Sequence, residues 1–472
     1  MQPDLKTPAA RRFGRVVLLL ALAAPGVALA AEPGTPLNED PVLLGLVSQA
    51  LEKRPEVSQA REVIEAERER VPQANAFPDP SLTFGIQNDS FTKIQIGQME
   101  TSWITLMATQ TVPWYGKRGL RSEVASLAVD QSKADLQRVL LAVRAEVERG
   151  YVDLLLTRDQ LRLLLKLEAL WQLSEGLART RYEAGEGAQS DLLRAQLERS
   201  RLSQRRWVLE AEERRRVEVL NRLRGYPLGE AIATTRSLAD IADPSIEGRE
   251  TDDFETRSPE LQKAGLVIAQ SEKRVALARK DFFPDPSLSA GVMPRGKLEP
   301  MWQLSVSFSI PIWAASRQAH AVSENELRKR GAADGAEAVR GLLRQRMRER
   351  SLMLDALVQS NRLYRAGLLV QSESTVTSTL AQYQVGKVTF ASVLEALAGY
   401  LNDLNGFLES AATTQRLATA QRELSLDPVG GVLAPGMGTG VPGASAMGAA
   451  PSGSSGPASQ PGEQAGMSSP GM

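Results

Sequence analysis

The chain contains no cysteine and a single histidine, His320, among its 472 residues. The first absence excludes disulfides, thiolate metal sites, iron–sulfur clusters, cysteine nucleophiles and a lipid carried on an N-terminal cysteine. The second removes most hydrolytic and zinc chemistry, and His320, flanked by alanines in a helical stretch, reads as a structural histidine. Charge of one sign is also missing: Lys plus Arg and Asp plus Glu both number 56. No basic excess is present to grip a phosphate backbone, so nucleic-acid binding is disfavoured. Past the N-terminus there is no apolar run of membrane-spanning length; even Leu161 to Leu167 contains Arg162 and Lys166. If the mature chain spans a bilayer, it does so as a β-barrel. Gly116-Lys117 and Gly386-Lys387 lack the upstream glycine and following hydroxyl of a phosphate-binding loop. No nucleophile, base or metal constellation remains, so neither catalysis nor a cofactor is expected.

What is present starts with an export signal. Arg11, Arg12 and Arg15 precede an apolar run from Val16 to Ala24 and small residues ending at Ala30. This three-part order predicts a secretory signal peptide over residues 1–30, too short to anchor a membrane helix. The far end, residues 428–472, is Gly, Ala, Ser and Pro with Glu463 as its one charge, a composition expected to stay disordered.

Between these ends one unit is written twice. FPDPSL occurs at Phe77 to Leu82 and again at Phe283 to Leu288. Trp103 is matched by Trp302, Val112-Pro113 by Ile310-Pro311, and Tyr182, Gly185, Leu193 and Ala195 by Tyr383, Gly386, Leu394 and Ala396, in the same order. Such ordered self-similarity marks an internal duplication, with repeats over 31–224 and 258–427 and an irregular Pro- and Gly-containing connector over 225–257. The hydrophobic period changes at the prolines. Before them the composition is helical; after them Leu82, Phe84 and Ile86, and Trp302 to Ile310, alternate with small polar residues. Strands are predicted near 81–88, 102–111, 287–292 and 302–310, the last pair joined by a loop from Met293 to Met301. Pro78, Pro80, Pro284 and Pro286 end the helices and open the strands, and Pro113 and Pro311 punctuate the return, because proline lacks an N–H and turns its predecessor extended. The alternation suits lipid on one side and water on the other, and equally a half-buried soluble sheet.

From Lys117 to Tyr182 there is no proline, and a continuous helix of that length would run about 100 Å. Val139, Val143, Val147, Leu154, Leu161 and Leu165 form a stripe spaced by fours and sevens. Gln318 to Gln382 repeats the design, and glycine turns near 183–190 and 384–390 reverse each rod into a long αα-hairpin.

The order of helix, PDPSL, strand pair, Pro-Trp-Tyr-Gly-Lys-Arg and long hairpin, twice over, resembles the TolC-like outer-membrane factor family. The repeated FPDPSL and the segment from Gln110 to Arg118 look most like its heavy-metal branch, the partners of CzcA- or CusA-like pumps. The resemblance implies a mainly α fold with a small β part, in which a homotrimer forms a 12-stranded transmembrane β-barrel continued by a periplasmic α-helical barrel. It further implies a cell outer-membrane location in contact with lipid, a periplasmic adaptor and an inner-membrane RND-type pump, with the protein as passive exit duct for drugs or heavy-metal cations. Gly185, Glu186, Gly386 and Lys387 match the adaptor-docking tips. Asp191 matches a gate acid that hydrogen-bonds to a tyrosine matching Tyr383, and Glu395 matches an acidic ring, thinned here by Ser392 at the neighbouring position. The competing reading is a soluble periplasmic coiled-coil adaptor or scaffold, which shares the signal peptide and hairpins but does not need a duplicated, proline-bounded strand pair.

Overall fold

The computed structural model describes residues 36–244 and 254–428. The expected signal peptide, part of the connector and nearly all of the tail lie outside these residues. Each half begins with helices that proline starts well, since its missing N–H has no partner at a helix N-terminus anyway. They are α1 (Pro41–Lys53), α2 (Pro55–Asn75) and α6 (Pro259–Lys280), the last preceded by a short turn α5 (Phe254–Arg257). Asp40 caps α1 by accepting from Val42 N at 2.9 Å, and its other oxygen accepts from the buried Tyr151 hydroxyl at 2.9 Å.

The first strand pair is β1 (Ser81–Gln87) and β2 (Trp103–Thr111); the second is β3 (Pro286–Arg295) and β4 (Leu298–Phe308). All four make one antiparallel sheet in the order β1-β2-β3-β4, leaving β1 and β4 as its edges. The second pair corrects the expected loop from Met293 to Met301. Both strands run on to a tight turn at Gly296-Lys297, where Gly296 supplies the positive φ of 65° that such a turn needs. Pro294 had hidden this continuation: it falls at a shift of register between Met293 and Arg295, where a residue without an N–H is tolerated. Pro300 lies on the edge strand, which also spares the ladder.

The rods follow. In the first half α3 (Lys117–Glu183) runs 67 residues without a break, turns, and returns as α4 (Gln189–Leu223). In the second half α7 (Gln318–Leu363), a π-helical turn (Tyr364–Leu368) and α8 (Leu369–Gln384) have 46, 5 and 16 residues, the same total, before α9 (Phe390–Glu423) returns. The expected single helix is therefore interrupted at Tyr364. The core runs along α3 against α1, α4, α8 and α9 and includes Val147, Leu154, Leu155, Leu167, Leu220 and Leu397. The expected stripe holds at Val143, Val147 and Leu154 and then fails: Leu165 is exposed, while Leu163, Leu164 and Leu167 are buried. Leu165 stands about five full turns beyond Val147 and so points the same way around a straight helix; the buried face changes because the elements packed on α3 change along its length, among them α1, α2, α4, α6 and α9.

Candidate functional site: a two-faced sheet and two joined tips

Strand register sorts the sheet into two unlike faces. Leu82, Phe84 and Ile86 stand opposite Ala108, Leu106 and Ile104; Leu106 and Ala108 stand opposite Val292 and Ala290; these in turn face Trp302 and Leu304. Opposed residues share a face, so one side of all four strands is almost wholly apolar, and its large side chains are exposed apart from the half-buried Ile104. The other side carries Ser81, Thr83, Thr109, Thr111, Ser287, Ser289, Ser305 and Ser307, with hydroxyl pairs Thr109–Ser289 and Thr111–Ser287 at 2.9 and 3.0 Å. An exposed apolar sheet face of this extent exceeds what a water-soluble chain shows. Among the described residues no helix is long and apolar enough to cross a membrane. The junction prolines stand where the sequence put them: Pro78 and Pro80 between α2 and β1, Pro284 and Pro286 at the entry of β3, Pro113 and Pro311 just past β2 and β4.

Some 100 Å of helix lead away from this sheet to the hairpin turns. Both rods end in the same way: Gly185 and Gly386 take φ of 76° and 73°, and Glu186 N and Lys387 N bond back to Arg181 O and Gln382 O at 2.9 Å. This six-residue wrap around a left-handed glycine satisfies the last carbonyls of a helix. Gly185, Glu186, Gly386 and Lys387 are all exposed. The tips are tied together by Arg181, which the sequence reading passed over. Its Nη1 donates to Tyr383 O at 2.6 Å and Nη2 to Glu186 O at 3.4 Å, and its guanidinium lies 5.1 Å from the Tyr383 ring centre. A Cβ on Gly386 would meet Arg181 Nη2 at 3.1 Å, a second reason for glycine there.

Tyr383 is only 2% exposed and packs on Phe390, ring centres 5.4 Å apart. The expected hydrogen bond to Asp191 is not made: among the described residues of this chain the buried Tyr383 hydroxyl has no partner. Burial, and after it the charge of Asp191, pushes the phenol above its ordinary range and keeps it neutral. The half-buried Asp191 thus acts on Tyr383 through its field rather than by contact. Glu395 is exposed and shares a groove of about 380 Å³ with Ser392, Tyr400 and Asp403. Among the described residues no group of three or more His, Cys, Asp or Glu is placed to hold a metal ion.

Nearer the sheet, α3 and α9 are joined by buried charges that spacing did not announce. Glu148 accepts from Arg144 (2.8 Å), Arg422 (2.6 Å) and Thr419 (3.0 Å). Glu423 accepts from Arg149 at 2.7 Å and Arg138 at 3.1 Å, and Asp153 from Arg416 at 2.8 Å. Burial works against the Glu148 charge, but Arg422, Arg144 and Thr419 outweigh it and hold the carboxyl below its usual range. The fully buried Arg350 donates to Ala420 O and Asp427 O at 3.1 and 2.8 Å, tying down the end of α9.

A duplicated chain that joins paired helical hairpins to one sheet with an exposed apolar face has the build of a β-barrel membrane protein with a helical extension. The family model described as outer membrane efflux protein matches residues 46–225 and 252–426, and the chain belongs to that family. It is an outer-membrane protein, with its long helical part in the periplasm. A relative, nodulation protein T of Rhizobium leguminosarum bv. trifolii, is 28% identical over 269 residues, 54% of this chain and 56% of that protein; the chain thus spans little more than half of that relative's length. Among solved structures, the fold is similar to that of the outer-membrane channel OprN, with a TM-score of 0.67 and 19% identity over 82% of this chain and 91% of that one. It is equally similar to CusC, whose structures concern folding and transmembrane channel formation, with a TM-score of 0.67 and 18% identity over 82% and 91%.

Proposed function

We propose that three copies of this chain close into one 12-stranded barrel and serve as a passive exit duct, fed by an inner-membrane pump of the RND type through a periplasmic adaptor. The observation that carries this reading is the open four-stranded sheet with one apolar and one hydroxyl-rich face. Four strands are too few to close a barrel, since small closed membrane barrels use about eight, so the free edges of β1 and β4 require further copies. The apolar face then meets lipid and the hydroxyl face lines water. The helices supply a rigid extension but no energy source, which is why a separate pump is part of the reading.

The exposed tips Gly185-Glu186 and Gly386-Lys387 are the adaptor-docking surface in this scheme. The gate lies beside them, with Asp191 and Tyr383 holding the end of the duct narrow. Metal cations are the proposed cargo class, drawn by Glu395 and Asp403 along α9. Fractionation of cell envelopes followed by the native mass of the detergent-extracted protein tests the assembly. A trimer from the outer membrane supports the duct, and a monomer or dimer sinks it. For the gate, Asp191→Ala combined with Tyr383→Phe is expected to raise single-channel conductance in planar bilayers severalfold; an unchanged conductance removes these residues from the gate.

A further inference from the structure

The sheet contains one seam between the two halves of the duplication, and the chain closes that seam on itself. β2 pairs with β3, Thr111 opposite Ser287, and Val112 N donates to Pro286 O at 2.8 Å. At its foot, the segment leaving β2 closes over the segment entering β3. Trp114 N and Lys117 Nζ donate to Asp285 Oδ1 at 2.7 and 2.9 Å, and the Trp114 indole stacks on Phe283 with ring centres 5.4 Å apart.

The duplication writes both halves of a second such seam, and within one chain these stay apart on opposite edges of the sheet. FPDPSL precedes β1 as it precedes β3, so Phe77, Asp79 and Ser81 stand where Phe283, Asp285 and Ser287 do. Past β4, Pro311 stands where Pro113 does, and an aromatic, Trp313, and a cation, Arg317, follow up to the start of α7 as Trp114 and Lys117 follow up to the start of α3. Trp313 is 77% exposed and Phe77 51%. Asp79 and Arg317 are exposed and opposite in charge, and neither forms an ion pair among the described residues.

We propose that β4 of one copy pairs with β1 of the next with Ser309 opposite Ser81, and that Trp313 and Arg317 of the first close over Phe77 and Asp79 of the second. This rests on the trimeric duct and adds its inter-subunit register and lock. The register is that of the β2–β3 seam carried across by the duplication. It sets Phe308 opposite Leu82, Val306 opposite Phe84 and Leu304 opposite Ile86, so the apolar face continues without a break, and it sets Ser307 opposite Thr83 on the wet face. A slip of one residue would turn the serines of β4 towards lipid. A slip of two keeps the faces but draws Arg317 away from Asp79.

The cysteine-free sequence makes the test clean, because introduced thiols are the only ones present. In the template seam the Val112–Pro286 bond makes the adjacent Thr111–Ser287 pair a non-hydrogen-bonded one, with Cα atoms about 4.5 Å apart, within disulfide reach. Ser81→Cys with Ser309→Cys, oxidised in intact outer membranes, is expected to give covalent dimers and trimers on a denaturing gel. Ser81→Cys with Ser307→Cys, diagonal in this register, is expected to cross-link at least tenfold less. Equal or stronger cross-linking of the diagonal pair overturns the register, and a disulfide confined to single chains overturns the seam. Native mass of the reduced protein separates the two levels: a trimer that does not cross-link overturns the seam alone, whereas a monomer overturns the duct and the seam together. Asp79→Lys and Arg317→Glu singly are expected to lower the temperature at which the trimer dissociates in detergent, and together to restore it. Failure of the double variant to recover overturns the lock.

Discussion

In the first hairpin Tyr182 is 44% exposed, whereas its counterpart Tyr383 in the second is almost wholly buried, although both precede the same glycine turn. The partners explain the difference. Phe390 gives Tyr383 an aromatic neighbour, but the matching position in the first hairpin is the exposed Gln189; Arg181 covers the Tyr383 ring, and its own counterpart is Gln382. A parallel contrast lies further up the rods. Glu148 is buried among arginines and Thr419, while Glu349 of the second rod sits near the surface beside Arg346 and Gln345. Duplication therefore preserved the backbone plan and let the interiors diverge: the first rod is joined to α9 by charge about midway along its length, and the second tip is held by aromatic packing. Two hairpins that look interchangeable in outline are not interchangeable in how they are held.

Substitutions at matched positions sharpen that contrast. Phe390→Ala is expected to destabilise the protein by about 3–5 kcal/mol through cavity formation. Gln189→Ala is expected to stay within about 0.5 kcal/mol, as a surface change does. Thermal unfolding of the detergent-extracted protein, followed by circular dichroism, compares the pair; equal losses would mean that the tips are held alike. Next, Glu148→Gln is expected to lose about 2 kcal/mol by weakening charge-assisted bonds and leaving arginines short of a partner, with Glu349→Gln leaving the midpoint unchanged. Because the Glu148 carboxyl titrates below its unfolded value, its contribution is complete above pH of about 4.3 and is lost as pH falls through the folded value. The acid arm of a stability–pH curve should accordingly flatten in Glu148→Gln. Smaller again, Gly406→Ala places a Cβ 2.8 Å from the Tyr364 hydroxyl at the π-helical turn, and is expected to destabilise by about 1–2 kcal/mol. Tyr364→Phe in the same chain should recover most of that loss, and no recovery would put the strain elsewhere.

Much of the architecture was legible because it rests on periodicity and on proline. Alternation located β1 and β2 to within a residue, and the glycine turns located both tips. The hairpin end at Gly296 escaped because Pro294 and Pro300 break the alternation on either side of it, and the π-helical turn has no composition of its own. The candidate site was legible only where the two halves agree. Tyr383 and Asp191 were reached through resemblance, but their separation depends on side-chain packing that spacing does not encode. Arg181 and Glu148 look like ordinary surface charges in the sequence. Phe390 alone carried a signal, being an aromatic at the position where the first half has glutamine.

The sheet that leaves two edges and one greasy face bare has a consequence for biogenesis. A lone copy has no state in which that face is covered and those edges are satisfied, so its final fold and its partnership with other copies form one reaction. The speed of that reaction depends on how many copies meet, and its unfinished species carry sticky strand edges through an aqueous compartment. Production of the protein is thus governed by encounter and escort as much as by the stability of any single chain.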